Sequence, residues 1–181
     1  HEKPWKLTYF GVGNENWGCG GHFLPEDYAQ AFLRYNTYVR NYDNKNTIYR
    51  VACGPNAEDY HWTDRVMWRA HHRIDGLSLH YYTDIWDSET RNKKSATDFT
   101  EKQYYQILAQ SYKIDEIITR HIEIMNKYDP NHRVDLIVDE WGTWFEVEPG
   151  TNPGFLYQQN TMRDAIVAGL TLNIFNKHSD R

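Results

Sequence analysis

The feature that most constrains the fold is a regular alternation between short apolar runs and longer stretches of helical periodicity. The apolar runs predict five β-strands, over residues 6–13, 47–53, 74–82, 134–141 and 170–175. The stretches between them predict amphipathic helices. Strict alternation of strand and helix is typical of a parallel sheet covered by helices, so the chain is predicted to be an α/β protein.

Turn and capping residues set the limits of the predicted helices. Pro25, followed by two acidic residues, suits the first turn of a helix. Thr100 with Gln103 fits a capping box that opens the longest helix, and Asp129-Pro130 ends it. Shorter helices are predicted over residues 64–72 and 156–169. The apolar face of the first helix is predicted to carry Tyr28, Phe32, Tyr35, Val39 and Tyr42.

Polar side chains follow the carboxyl ends of the predicted strands. Asn14-Glu15 comes after the first strand, Asn56 after the second, and Asp139-Glu140 closes the fourth. Active sites of (β/α)8 barrels lie at these strand ends, and open doubly wound sheets bind ligands there too. The first strand is not followed by a Gly-x-Gly-x-x-Gly turn and a helix, which disfavours a dinucleotide-binding oxidoreductase.

Glu15 and Glu140 are the candidate catalytic pair. Glycoside hydrolysis needs one carboxyl group that donates a proton and one carboxylate that attacks or activates water. In a closed barrel, the first and fourth of these strands would face each other across the mouth. A retaining mechanism requires the two groups to lie about 5–5.5 Å apart. Each glutamate taken alone is a common strand-end residue, and only the pair favours catalysis.

Composition excludes several other classes of function. The net charge is −5 and the basic residues do not cluster, so no nucleic-acid partner is expected. No apolar run reaches the roughly 18 residues of a membrane span, so no membrane partner is expected. Two cysteines, Cys19 and Cys53, do not make a disulfide scaffold. No group of His, Cys or acidic residues has metal-ligand spacing, and neither a metal nor a cofactor is expected.

Several segments together resemble family 51 glycoside hydrolases, the α-L-arabinofuranosidases. Residues 13–21, Gly-Asn-Glu-Asn-Trp-Gly-Cys-Gly-Gly, resemble the acid/base loop of that family. Residues 138–144, Val-Asp-Glu-Trp-Gly-Thr-Trp, resemble its nucleophile segment. Residues 78–82, Ser-Leu-His-Tyr-Tyr, resemble its sixth barrel strand, and residues 173–178 resemble its last.

The resemblance implies a role for each matching residue. Glu15 would be the general acid/base and Glu140 the nucleophile of a retaining, exo-acting enzyme that releases arabinofuranose from arabinan or arabinoxylan. Tyr82 would donate a hydrogen bond to the nucleophile. The remaining substrate-binding residues would be Asn14 at the sugar 2-hydroxyl, His80 on the floor of the site, and Trp144 against the sugar. Asp139 neighbours Glu140, and because successive strand residues point to opposite faces, we expect only one of them in the site.

The chain is shorter than a complete catalytic domain of this family would be. A (β/α)8 TIM barrel takes about 250 residues, whereas this chain has 181. We therefore expect residues 1–181 to be a partial catalytic domain, strands four to eight of the barrel, without the N-terminal strands or the C-terminal β-sandwich. The isolated chain is expected to be unstable or inactive. The resemblance also implies a cytoplasmic parent enzyme that forms homo-oligomers.

Two other functions stay open at this point. Some relatives cleave β-glucans or xylans internally, and the substrate-selecting loops that would distinguish them are partly missing. A carbohydrate-binding fragment without catalysis would keep the aromatic residues but would not need both glutamates.

Overall fold

The computed structural model describes residues 6–42, 45–89, 91–152 and 159–181. These residues form two compact units. The first comprises the chain up to His80, residues 119–139 and Arg181, and the second comprises residues 81–118 and 140–180. None of the helices in the described ranges has the length and apolar character needed to span a bilayer.

Six strands and five α-helices are described. In chain order they are β1 (Tyr9–Val12), α1 (Pro25–Asn36), β2 (Tyr49–Ala52), α2 (Tyr60–Ala70), β3 (Gly76–Thr83), β4 (Trp86–Asp87), β5 (Asn92–Lys93), α3 (Glu101–Ser111), α4 (Lys113–Tyr128), β6 (Asp135–Thr143) and α5 (Met162–Lys177).

The main sheet has the strand order β1-β2-β3-β6. β1 pairs with β2 in parallel, with Tyr9 opposite Tyr49. β2 pairs with β3 in parallel, with Val51 opposite Gly76. A helix lies between each pair of consecutive strands in this order along the chain, as βαβ connections require. The prediction of an α/β chain with a parallel sheet is therefore confirmed.

Tyr28 joins helix to sheet in the first unit. Its side chain is 3% exposed. The hydroxyl donates to the Val12 carbonyl at 2.7 Å and accepts from the Cys53 N–H at 2.5 Å. Burial raises the pKa of this phenol. Around it, the core of the unit is formed by apolar residues of α1, α2, α4 and the strands, including Phe32, Trp62, Val66, Met67, Leu77 and Met125.

A buried histidine connects α4 to α2 in the same unit. His121 is fully buried, with Nε2 2.7 Å from the Ala57 carbonyl and Nδ1 2.8 Å from the Thr63 hydroxyl. A carbonyl only accepts hydrogen bonds, so Nε2 carries the proton and Thr63 donates to Nδ1. Burial lowers the pKa of His121, which keeps the imidazole neutral in the folded chain.

The second unit has its own small core around Ile107, Phe145 and Val167. Arg163, 1% exposed, lies between two rings, with its guanidinium carbon 3.9 Å from the centre of Phe99 and 4.3 Å from that of Phe145. It also donates to the Ala96 carbonyl at 3.2 Å. These two cation–π contacts compensate part of the cost of burying the charge.

Four predictions about local structure are wrong or incomplete. The fifth strand, residues 170–175, lies inside helix α5, so four strands form the sheet rather than five. The helix expected over residues 100–128 is two helices that divide at Tyr112. α1 ends at Asn36, which leaves Val39 and Tyr42 outside it. The expected polar loop 83–99 contains the antiparallel pair β4–β5. The start of the helix predicted from Leu156 lies outside the described residues.

Candidate active site

The six predicted site residues fall into two groups, one in each unit. The first unit contains Asn14, Glu15 and His80. The second contains Tyr82, Glu140 and Trp144. In each group a glutamate has specific hydrogen-bond partners, so each is described in turn.

The loop after β1 is built around the backbone of Glu15. The Glu15 carbonyl accepts from the N–H groups of Gly18 at 2.8 Å and Gly20 at 2.9 Å. The side-chain amide of Asn16 donates to the Gly20 carbonyl at 2.8 Å. A Cβ at Gly20 would lie 1.9 Å from the Asn14 carbonyl oxygen, so the loop requires glycine there. The exposed Asn14 precedes Glu15 in a bend.

Two side chains hold the Glu15 carboxylate. The Cys19 thiol donates to Oε2 at 3.2 Å, and Nδ1 of His80 lies 3.0 Å from Oε1. Glu15 has a φ of +45°, in the left-handed region. For a residue with a Cβ this conformation costs on the order of 1 kcal/mol, and such strain is concentrated at functional sites.

Hydrogen bonds of the His80 backbone hold this residue in place, in addition to the contacts of its ring. Its N–H donates to the Pro55 carbonyl at 3.1 Å, and its carbonyl accepts from the Ala57 N–H at 2.8 Å. The residue is 2% exposed. Nε2 lies 3.3 Å from Oδ1 of Asp139, an ion-pair distance. His80 is therefore a buried histidine with one carboxylate at each ring nitrogen.

Trp17 and Cys53 attach the Glu15 loop to the end of β2. The Trp17 indole donates to the Gly54 carbonyl at 3.2 Å, and its ring meets His80 edge-on at 6.3 Å. The Asn16 N–H donates to Sγ of Cys53 at 3.4 Å. Burial, with added repulsion from the carboxylates of Asp139 and Glu15, raises the pKa of the Cys53 thiol to about 11. This thiol is a protonated packing group at neutral pH.

In the second unit, Tyr82 donates its hydroxyl hydrogen bond to Oε2 of Glu140 at 2.9 Å. Tyr82 lies near the end of β3 and Glu140 lies in β6. This is the contact that the resemblance implies for a nucleophile and its hydrogen-bond donor. A phenol at this distance fixes the rotation of the carboxylate, which directs its oxygen atoms.

Trp144 stands beside this pair. Its ring meets Tyr82 edge-to-face at 4.8 Å, and Nζ of Lys93 lies 4.5 Å from its centre. The ring is 37% exposed, so part of it stays available to a ligand. Glu148 secures the segment behind it, accepting from the Ser95 hydroxyl at 2.6 Å and the Ala96 N–H at 3.1 Å. The neighbouring Trp141 packs edge-on against Phe175 at 5.1 Å, a structural contact.

Two residues at the site were not identified from the sequence. Cys19 was visible in the Gly-rich loop, but only the loop's fold brings it to Glu15. Strand alternation predicts that Asp139 and Glu140 point to opposite faces, which leaves Asp139 outside the expected site. Asp139 nevertheless reaches His80 and, through that ring, belongs to the same group as Glu15.

Comparisons with known proteins show which family the chain resembles. The sequence model of the alpha-L-arabinofuranosidase C-terminal domain matches residues 139–181. An intracellular exo-alpha-L-arabinofuranosidase of Bacteroides ovatus is 50% identical over 181 residues, which are 99% of this chain and 34% of that protein. An intracellular exo-alpha-(1->5)-L-arabinofuranosidase of Acetivibrio thermocellus is 26% identical, over 99% of this chain and 37% of that protein.

Solved structures give the same result. The crystal structure of the GH51 arabinofuranosidase from Xanthomonas axonopodis pv. citri superposes with a TM-score of 0.92 at 49% identity, over 98% of this chain and 36% of that one. An arabinose complex of the Thermotoga maritima alpha-L-arabinofuranosidase gives 0.77 at 27% identity, over 99% of this chain and 33% of that one. The resemblance predicted from the sequence is therefore confirmed: over nearly its whole length, this chain matches about one third of a family 51 arabinofuranosidase.

Proposed function

We propose that this chain supplies both catalytic glutamates of a retaining, exo-acting glycoside hydrolase that releases α-L-arabinofuranosyl residues from arabinan- or arabinoxylan-type saccharides. The observation that carries the proposal is the pair of glutamates, each with its own hydrogen-bond partners, in a chain 50% identical to a protein named as an exo-arabinofuranosidase. Because the chain spans about a third of that relative, the activity is proposed for the full-length protein.

The proposed reaction has two displacements. Glu140 attacks the anomeric carbon while Glu15 gives its proton to the glycosidic oxygen, so one C–O bond breaks and a glycosyl ester forms. Water then attacks the same carbon, Glu15 takes the proton of that water, and the ester bond breaks. The sugar leaves with retained configuration and both glutamates return to their starting states.

The remaining site residues have roles in binding. The Tyr82 hydroxyl orients Glu140 for attack. Asn14 would bind the 2-hydroxyl of the sugar, His80 would form the floor, and the exposed part of the Trp144 ring would cover a sugar face. Flat aromatic rings suit C–H-rich sugar surfaces because they bury apolar area without needing a hydrogen-bond partner.

We further propose that the parallel strands of this chain form part of a (β/α)8 barrel in the full-length protein. The high TM-score to a GH51 enzyme supports this arrangement. The parent is proposed to act inside the cell, because two of its relatives are named as intracellular enzymes. It is proposed to act without a cofactor, and its association into homo-oligomers is testable by light scattering.

The test is hydrolysis of 4-nitrophenyl α-L-arabinofuranoside by the full-length protein, its Glu140→Ala variant and a Glu123→Ala control, each with and without azide. Glu123 is an exposed glutamate on α4, remote in sequence from the site. We expect Glu140→Ala to lose activity and to regain turnover with azide, giving a glycosyl azide of inverted configuration. Glu123→Ala should match the wild type.

Other outcomes have definite meanings. A wild-type protein that hydrolyses an aryl glucoside or xyloside, but not the arabinofuranoside, would replace the proposal with the glucan- or xylan-cleaving alternative. Saccharide binding without any turnover, unchanged by Glu140→Gln, would show a binding function instead.

A further inference from the structure

His80 connects two carboxylates that lie far apart in sequence. Nδ1 is 3.0 Å from Oε1 of Glu15, and Nε2 is 3.3 Å from Oδ1 of Asp139. The histidine side chain is 2% exposed, whereas Glu15 is 21% and Asp139 42% exposed. The ring is therefore enclosed, while both carboxylates remain partly accessible to solvent.

Only some protonation states satisfy this arrangement. An ionised carboxylate accepts hydrogen bonds and cannot donate them. Nε2 lies at ion-pair distance from Asp139, so an ionised Asp139 favours a proton on Nε2 over a lone pair that would repel it. Nδ1 then either accepts from a protonated Glu15 or, in the imidazolium, donates to an ionised Glu15. The two states differ by the position of one proton between Oε1 and Nδ1.

The rest of the surroundings fix the ring and the carboxylate in place. The His80 N–H and carbonyl both hydrogen-bond to the segment 55–57, and the Trp17 ring packs edge-on against the imidazole. The Cys19 thiol holds the other oxygen of Glu15. The remaining freedom is rotation of the imidazole about its last side-chain bond and the choice of tautomer, and the carboxylate near Nε2 acts on both.

We propose that Asp139 is a positioning residue: it holds a proton on Nε2 of His80 and thereby keeps Nδ1 directed at the carboxyl group of Glu15. This inference rests on the proposed function, in which Glu15 is the general acid/base. In the proposed mechanism Asp139 has no role at the sugar or at the reacting atoms. Its effect reaches the reaction only through the orientation of Glu15, as a carboxylate behind a histidine orients the base in hydrolase triads.

If Asp139 acts through the general acid, its loss should affect substrates with poor leaving groups more than substrates with good ones. A purely structural role would affect both alike. Protonation of the leaving group matters for a poor leaving group, such as the sugar alcohol of (1→5)-linked arabinobiose. It matters little for 2,4-dinitrophenolate, which departs without a proton. The value of kcat/KM reports the steps up to the first bond cleavage, so it isolates the glycosylation step for both substrates.

The experiment measures kcat/KM of the full-length protein on arabinobiose and on 2,4-dinitrophenyl α-L-arabinofuranoside. We expect Asp139→Ala to lose about tenfold or more on arabinobiose and less than about twofold on the aryl substrate, since general acid catalysis contributes about 10²–10⁴-fold. The activity on the aryl substrate also shows that the variant folds. The matched control is Asp135→Ala, an exposed carboxylate at the start of the same strand, which should not separate the two substrates.

A double-mutant cycle completes the test. If Asp139 acts through Glu15, then Asp139→Ala causes no further loss in a Glu15→Ala background. Equal losses on both substrates, or effects of the two changes that multiply, would overturn the inference while leaving the role of Glu15 intact. If Glu15→Ala itself fails to discriminate between the substrates, the acid/base assignment fails and this inference fails with it.

Discussion

Iodoacetamide should distinguish the two cysteines of this chain by a large factor. Cys19 is exposed and donates to Glu15, whereas Cys53 is 3% exposed beneath the same loop. The thiolate is the form that reacts. Burial raises the pKa of Cys53 from 9.0 to about 11. At pH 8 the thiolate fraction of this residue falls from about 10% to about 0.1%, a loss of roughly 100-fold before restricted access is counted.

The assay is a time course of alkylation of the full-length protein at pH 8, with quenched samples digested and the two cysteine peptides quantified by mass spectrometry. The reference is the same protein in guanidinium chloride, where both thiols are exposed. We expect Cys53 to react at least about 100-fold more slowly in the native protein than in the denatured one. Under the proposed function, modification of Cys19 should coincide with loss of arabinofuranoside hydrolysis, because it places an amide group beside Glu15 and removes a donor.

A Cys19→Ser variant is the matched control, since it keeps a hydrogen-bond donor and lacks the reactive sulfur. Whatever activity this variant has should be insensitive to the reagent. The reasoning is refuted if native Cys53 is alkylated as fast as it is in guanidinium chloride. It is also refuted if the wild type keeps full activity after Cys19 is completely modified.

Three further predictions concern stability, each measured by the thermal unfolding of the full-length protein. Tyr28→Phe leaves the Cys53 N–H and the Val12 carbonyl without their buried partner, which should cost about 2 kcal/mol; an unchanged midpoint would contradict this. His121 is neutral when folded and has a lowered pKa, so stability should fall as the pH drops from about 6.5 toward that lowered value. His121→Gln should flatten this dependence, and parallel pH curves for the two proteins would argue against it. Thr100→Ala removes the cap of α3 and should cost about 1 kcal/mol, whereas Thr100→Ser should cost much less.

The sequence predicts local structure best where two local signals agree. The capping box at Thr100 is present in the structure, and Pro25 is the first residue of α1. The strands β1, β2, β3 and β6 all lie within or near the predicted runs. In each case a turn or cap coincides with a change of apolar periodicity, so no tertiary information is needed.

The strand prediction for residues 170–175 failed because these residues fit both the two-residue period of a strand and the period of a helix. Residues 170–175, Leu-Thr-Leu-Asn-Ile-Phe, alternate as a strand would. Yet Val167, Thr171 and Ile174 are spaced as one helical face, and these are the positions that α5 buries. A short β-rich run inside a longer helical one can be assigned only when the packing partner is known.

In the candidate site, too, some residues can be identified from the sequence and others only from the structure. The strand ends and the resemblance point to Glu15, Glu140 and Tyr82. The contacts of Cys19 and Asp139 depend on the path of a glycine-rich loop and on the position of one buried ring, neither of which periodicity encodes. Side chains that act through another residue are therefore the ones that sequence patterns miss.

Under the proposed function, the left-handed backbone of Glu15 makes folding and activity favour different residues at position 15. Asparagine and glycine adopt this conformation more readily than glutamate does. In a library selected only for yield of folded protein, position 15 should therefore drift toward Asn. In a library selected for growth on arabinose-containing saccharides, the proposed function would hold Glu at this position. The backbone at position 15 would then favour one residue and the proposed activity another.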